Sequence, residues 1–289
     1  MKLCDIQSGQ LLSGFYLLRQ AVQRTTTAGK PYFSGVLTDQ SGSVDLKIWD
    51  YSGPITPADD GKVVWLQGRV SEFKGALQVT ADRIRLATGE DRFSLEDLVP
   101  SAPMDRELAR VQVVKMLSEM EDADYRAVCQ EMLRRHEAQF LTIPAAKSVH
   151  HGFLGGLLMH TCNMMRTARW LAALYGDFLD KDLLLAGTFL HDFAKMREFS
   201  LSPVGLVSDY SVSGQLLGHL VMGAQEAAEV CRELNIPEEK SVLLQHLILS
   251  HHGEPEFGAA VVPQCAESEL LSYIDMIDSR MEIYRETLE

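Results

Sequence analysis

In "LLLAGTFLHDFAK", residues 183–195, a histidine and an aspartate stand side by side at the end of an apolar run. Burying such a pair is costly unless the two groups are ion-paired, hydrogen-bonded or bound to a metal. Similar side chains recur beside apolar neighbours: His160 in "GLLMHT", His219 in "GHL", His251 and His252 in "SHHG", and Asp275 and Asp278 in "YIDMID". A single histidine in such a place is most often a hydrogen-bonded core residue. Several, spread over five expected helices or helix ends, can be gathered into one metal site, because a helical bundle projects imidazoles and carboxylates from separate helices into a shared interior. Successive helical residues point about 100° apart, so His191 can reach one cation while Asp192 bridges toward a second.

The elements that must carry these residues are helical. Past Met104, segments such as "MDRELARVQVVKMLSEM", "GGLLMHTCNMMRTARWLAALYG" and "EEKSVLLQHLILSHHG" place apolar residues three and four apart, which predicts an all-α, bundle-like domain over residues 105–289. Residues 1–90 follow another period. "FYLLRQAVQRTT", "PYFSGVLTD", "SVDLKIWD", "KVVWLQGRV" and "ALQVTADRIRL" are β-branched or aromatic runs between Gly, Pro, Asp and Ser, and "DQSGS" and "FKG" look like hairpin links. Five strands in this length predict a small all-β barrel of OB type, with an SH3-like barrel as the alternative. Residues 91–104, with two prolines and little periodicity, are expected to link the two domains.

Composition divides the chain at the same place. The net charge of −13 argues against nonspecific coating of nucleic acid, but residues 1–90 hold 10 Lys and Arg against 9 Asp and Glu, so the acid lies in the second part. All nine histidines lie beyond residue 135. The five cysteines are scattered without a CxxC pair, so neither a disulfide framework nor a zinc ribbon is indicated, and most are expected to be reduced and buried. No apolar run is long enough to span a membrane and the start is unlike a signal peptide, which makes a cytoplasmic location the default.

Strand alternation sorts the barrel's aromatics. Val44, Leu46 and Ile48 share one face, leaving Asp45, Lys47 and Trp49 on the other; Val64, Leu66 and Val70 oppose Trp65, Gln67 and Arg69. Lys47, Trp49, Trp65 and Arg69 thus combine rings with cations, as single-strand binders do to stack bases and follow phosphates. Equally, the two tryptophans could seal the barrel end or pack on the helical domain.

The ordered motifs "HT" at 160, "HDFAK" at 191, "GHL" at 218, "SHHG" at 250 and "YIDMID" at 273 resemble the signature of HD-domain metal-dependent phosphohydrolases. With "SVHHGFLGGLLMHT" and the strand-rich front containing "LTDQSGSVDLKIWD", the whole is similar to YhaM-type 3'-5' exoribonucleases, which join an OB domain to an HD domain. The resemblance implies that His160, His191, Asp192 and Asp275 hold one ion and His219, His251 and His252 a second. It leaves Asp278 and His246 as structural. His150 and His151 match a paired histidine of the family, for which a pocket-facing role and a capping or packing role both stand open. Ala194 replaces a frequent glycine and Arg280 a frequent lysine.

Mixed nitrogen and oxygen donors without cysteine suit Mn, Fe, Co, Ni or Zn, and the resemblance favours two divalent ions of manganese. Asp192 and Lys195 are the expected catalytic residues. The Lys195 ammonium would face the transferring phosphoryl oxygens, unless it is a solvated helix end. The implied activity is metal-dependent 3'-5' exonucleolytic hydrolysis of single-stranded RNA, with DNA as a further substrate. The alternatives are a phosphohydrolase of small or cyclic nucleotides whose barrel serves assembly, and a noncatalytic nucleic-acid binder with a structural metal. No membrane partner is expected, and assembly into a homo-oligomer is left open.

Overall fold

The computed structural model describes residues 1–27, 29–99, 101–146, 152–202 and 204–288. The chain divides into two compact units, residues 1–101 with 202–204, and residues 102–201 with 205–289. Among the described residues no helix is long and apolar enough to cross a membrane.

In the first unit, β1 (Leu11–Thr25), β2 (Pro31–Asp39), β3 (Gly42–Trp49), β4 (Val63–Phe73) and β5 (Ala76–Leu86) close into a barrel in the order β1-β2-β3-β5-β4. Each pairing is antiparallel except β3 with β5. That order is the OB-type barrel rather than the SH3-like alternative. Inward positions pack Val44, Leu46, Ile48, Val64, Leu66 and Val70 with Leu12, Phe33, Leu37 and Val79. The "DQSGS" link is built by Asp39, whose Oδ1 accepts the N–H groups of Ser41 (2.7 Å) and Gly42 (3.1 Å). The "FKG" hairpin turns on Lys74 and Gly75, both left-handed with φ of 52° and 82°. At the irregularity between Gln67 and Gly68 the strands approach so closely that a Cβ on Gly68 would lie 2.4 Å from the Thr80 carbonyl oxygen. Much of the stretch expected as linker packs on the barrel: Phe93 stacks on Phe15 with centroids 4.9 Å apart, and the Gln40 N–H donates to the Asp97 carbonyl.

The second unit carries α1 (Arg106–Ser118), α2 (Ala123–Phe140), α3 (Gly156–Leu174), α4 (Lys181–Leu190), α5 (Lys195–Glu198), α6 (Val212–Glu233), α7 (Glu238–Ser250) and α8 (Ala266–Leu288). Asp105, Asp122, Asp180 and Ser211 accept backbone N–H bonds at the starts of α1, α2, α4 and α6. A short hairpin, β6 (Phe199–Leu201) with β7 (Val207–Tyr210), interrupts the helices; three and four residues are too few for strand periodicity to be read. The core helix is α4, buried from Asp182 to Leu190 and packed by α2, α3, α7 and α8. Gly187 lets α7 come close, since a Cβ there would sit 2.1 Å from Leu247 Cδ2. Below the end of α4, the rings of Phe140, Phe189 and Phe193 pack with centroids 5.0 to 5.6 Å apart. Cys129, Cys162 and Cys231 are free and buried, while Cys4 is exposed.

Candidate metal centre

Side chains from α3, α6, α7, α8 and the end of α4 meet around Asp192. On one side His160 Nε2 lies 3.3 Å from His191 Nε2, 3.2 Å from Asp275 Oδ1 and 3.6 Å from Asp192 Oδ2. On the other, Asp192 Oδ1 lies 3.4 Å from His219 Nε2 and 3.7 Å from His251 Nε2. His219, His251 and His252 form a triplet whose donor atoms all fall within 4.8 Å of one another, as do His160, His191 and Asp275. All seven residues expected as ligands are therefore brought together. His150 and His151 lie outside the described residues.

The local backbone aims these rings. His191 and His251 each follow the last turn of a helix, where carbonyls lack an intrahelical partner. Their Nδ1 atoms bond the carbonyls three residues back, Thr188 at 2.7 Å and Ile248 at 2.8 Å, which turns each Nε2 inward. Two helix C-termini also bring partial negative charge toward a cation. His219 depends on a break: Gly218, at φ 72° and ψ 163°, interrupts α6, and the freed His219 N–H donates to Glu198 Oε1 at 3.0 Å. The same oxygen binds His219 Nδ1 at 3.0 Å, and Asp278 Oδ2 binds His160 Nδ1 at 2.7 Å. Carboxylates behind a histidine fix its tautomer and orientation. Asp278, expected to be structural, has this orienting contact, and Glu198 was missed because nothing in "KMREFS" marks a residue that acts through the backbone twenty-one positions later.

The donor set fits a divalent cation. Around an ion with bonds of about 2.1 Å, neighbouring donors in tetrahedral or octahedral geometry stand about 3.0 to 3.4 Å apart, close to the separations here. Four buried atoms, Asp192 Oδ1, His219 Nε2, His251 Nε2 and His252 Nδ1, have no hydrogen-bond partner. Orphaned buried polar atoms are rare and costly, and these four point to a shared ligand. Electrostatics agrees. Burial opposes ionisation of Asp192, but Lys195, His191 and His219 prevail and hold its carboxyl well below the usual range. Burial pushes His251 and His252 below the ordinary imidazole value, reinforced by His191 at the former and His219 at the latter, so both offer neutral lone pairs. His160 differs: burial disfavours its cation, yet Asp275 and Asp278 raise it to about 10, so a metal bound there would have to displace the Nε2 proton. Lys195 Nζ donates to Asp192 Oδ2 at 2.7 Å, so the lysine is part of the centre rather than a solvated helix end.

A cavity of about 180 Å³ opens beside the centre, lined by His251, His252, Asp275, Phe257, Met276 and Arg280. Ala194 is buried, with its Cβ 3.5 Å from where one on Gly223 would be.

On the barrel, Lys47, Trp49, Trp65 and Arg69 all face outward. Thr80 of β5 pairs with Lys47 on one side and Arg69 on the other, so the two cations share a row. Trp49 keeps 52% of its surface exposed and meets Tyr32 at 5.1 Å. Trp65 lies under the Arg85 guanidinium at 5.5 Å. Both tryptophans line a groove of about 640 Å³ with Tyr51, Arg83 and Arg85. The sequence reading did not single out the last two, although their alternation with Ile84 and Leu86 in "ADRIRL" is the signal that turns them outward.

Residues 157–280 match the HD domain family model. The chain is 35% identical over 288 residues to the 3'-5' exoribonuclease YhaM of Halalkalibacterium halodurans, covering 98% of this chain and 88% of that protein. It is 34% identical to the protein of the same name from Bacillus subtilis, covering 97% and 88%, and 33% identical to that from Oceanobacillus iheyensis, again covering 97% and 88%. By this near-complete likeness, on an OB-type barrel and an HD-type histidine and aspartate cluster, the chain belongs to the YhaM family of 3'-5' exoribonucleases.

Proposed function

We propose that the chain hydrolyses single-stranded RNA one nucleotide at a time from the 3' end, using two divalent cations held on either side of Asp192. The carrying observation is the pair of donor groups that share Asp192, Oδ2 toward His160 and His191 and Oδ1 toward His219 and His251. His160, His191 and Asp275 would hold one ion with Oδ2; His219, His251 and His252 would hold the other with Oδ1. Nitrogen and oxygen donors without thiolate suit Mn, Fe, Co, Ni and Zn alike, and the resemblance to HD-type phosphohydrolases favours manganese. Such ions supply an acidified water as nucleophile and offset charge at phosphorus.

The protein's own groups do the rest. Burial works against the Lys195 ammonium, but Asp192 outweighs it and holds the lysine above its ordinary range, so it stays protonated beside the phosphate position. Glu198 and Asp278 keep His219 and His160 from rotating away. Lys47, Trp49, Trp65 and Arg69 are assigned to the strand upstream, where stacking tolerates any base sequence and the near-neutral barrel keeps the grip modest. Single-stranded DNA shares the rings and phosphates this face would bind.

The test is a 5'-labelled oligoribonucleotide incubated with Mn²⁺, with its DNA counterpart in parallel. A ladder shortening stepwise from the 3' end is expected. No shortening of RNA with Mn, Fe, Co, Ni or Zn would overturn the reading.

A further inference from the structure

Resting on that reading, we infer that Phe257, Met276 and Arg280 form a seat for the 3'-terminal nucleotide, with its base against the Phe257 ring and the Arg280 guanidinium on its phosphate. The cavity these residues share with His251, His252 and Asp275 measures about 180 Å³. A cavity of about 150 Å³ accommodates a benzene-sized ring, so this one, open on one side, has room for a single base beside the centre.

The walls are suited to a base. Phe257 is 66% exposed, and among the described residues no ring packs against it. One exposed phenyl is ordinary by itself, but this one is held in place at the metal centre. It ends a single 3₁₀ turn, Pro255–Phe257, closed by the Phe257 N–H on the Glu254 carbonyl (2.9 Å) and the Gly258 N–H on the Pro255 carbonyl (3.0 Å). Gly258, at φ 100°, rests on His252: a Cβ there would lie 3.3 Å from His252 Nδ1. The turn that presents the ring is thus packed on a residue of the second donor group. Met276 adds a polarisable thioether one residue after Asp275.

Arg280 supplies the charge. Arg110, Arg135, Arg197 and Lys240 of the same unit each bind a carboxylate. Arg280 enters no ion pair among the described residues and is exposed at the cavity. In a unit so rich in acid, an uncommitted guanidinium beside the centre is an anion site, and its fork matches phosphate oxygens.

The decisive experiment pairs a variant with a substrate change. Wild-type protein and Phe257→Ala are each given an oligoribonucleotide ending in a normal nucleotide or in an abasic one. Removing the terminal base is expected to raise KM of the wild type by about 5- to 150-fold, the range for one base on one ring, with kcat little changed. The same removal should cost Phe257→Ala almost nothing, and Phe257→Tyr should restore the wild-type response. Arg280→Ala should raise KM about tenfold with both substrates, with partial rescue in Arg280→Lys. The cycle is repeated as equilibrium binding, by fluorescence anisotropy of labelled oligonucleotide in chelator. Equal loss on removing the base in wild type and Phe257→Ala, in both readouts, overturns the seat. If the wild type degrades no RNA, the exonuclease reading falls instead, and the binding cycle still decides whether the seat exists.

Discussion

The barrel face and the metal centre both gather polar side chains, in opposite settings. At the centre His191, Asp192 and His251 are almost wholly buried, and the two imidazole rings are locked by backbone carbonyls. On the barrel Trp49 is half exposed, and Lys47 and Arg69 stand on an outer strand face. The centre is preorganised at a desolvation cost that a bound cation offsets. The barrel face costs little to maintain and, in the proposed role of stacking bases, would confer little selectivity. Losing a group from the first should therefore remove chemistry, while losing one from the second should weaken capture and leave turnover at saturation intact.

The largest expected effect is at the bridging carboxylate. Asp192→Ala should reduce kcat by about a thousandfold, equivalent to about 4 kcal/mol of electrostatic stabilisation, while a binding assay on single-stranded RNA changes little. If RNA binding collapsed together with turnover, the division of labour would be wrong. Next come the tryptophans: Trp49→Ala and Trp65→Ala should each raise KM for long oligonucleotides by about 5- to 150-fold and leave kcat unchanged. A fall in kcat with constant KM would place these rings in the chemistry instead.

Glu198→Ala sharpens the comparison inside the centre. Partners behind a metal-bound histidine are worth about 10- to 100-fold in affinity, so metal analysis at limiting Mn²⁺ should show one of two equivalents weakened by that factor and the other retained. Loss of both, or of neither, would remove Glu198 from its orienting role.

The smallest effect concerns acid stability away from either site. Burial opposes the charge of Asp122, but Lys240 and the N–H groups of Tyr125 and Asp124 overcome it and hold the carboxyl below its ordinary 3.8. A depressed folded-state value contributes stability that is present above about pH 4 and lost as pH falls through the lower folded value. Lys240→Met should therefore lower the melting temperature at pH 7 by a few degrees, with a gap to wild type that narrows toward pH 3. A gap constant with pH would assign the loss to packing.

Much of the fold was legible because its signals are local. Alternation in "SVDLKIWD" and "KVVWLQGRV" sorts inward from outward residues with no knowledge of neighbours, and the observed burial follows it. Apolar spacing marked the helices, and five motifs in order marked the metal cluster. Less legible were Glu198, which reaches His219 only because Gly218 breaks a helix, and the meeting of Arg83 and Arg85 with Trp49 and Trp65 in one groove, which joins residues of three strands. The β6 and β7 hairpin lay below the length at which a period can be detected.

By itself the sequence determined which residue types were present for chemistry, and in what order: imidazoles and carboxylates at the ends and inner faces of apolar helices, and rings beside cations on alternating strands. Tertiary structure decided which atoms meet. Whether Asp192 turns one oxygen to His160 and the other to His219, and whether Phe257 shares a cavity with Asp275, depends on helices far apart in the chain packing as closely as Gly187 allows against Leu247. Such separations follow from close packing of the whole core, and no short stretch of residues encodes them.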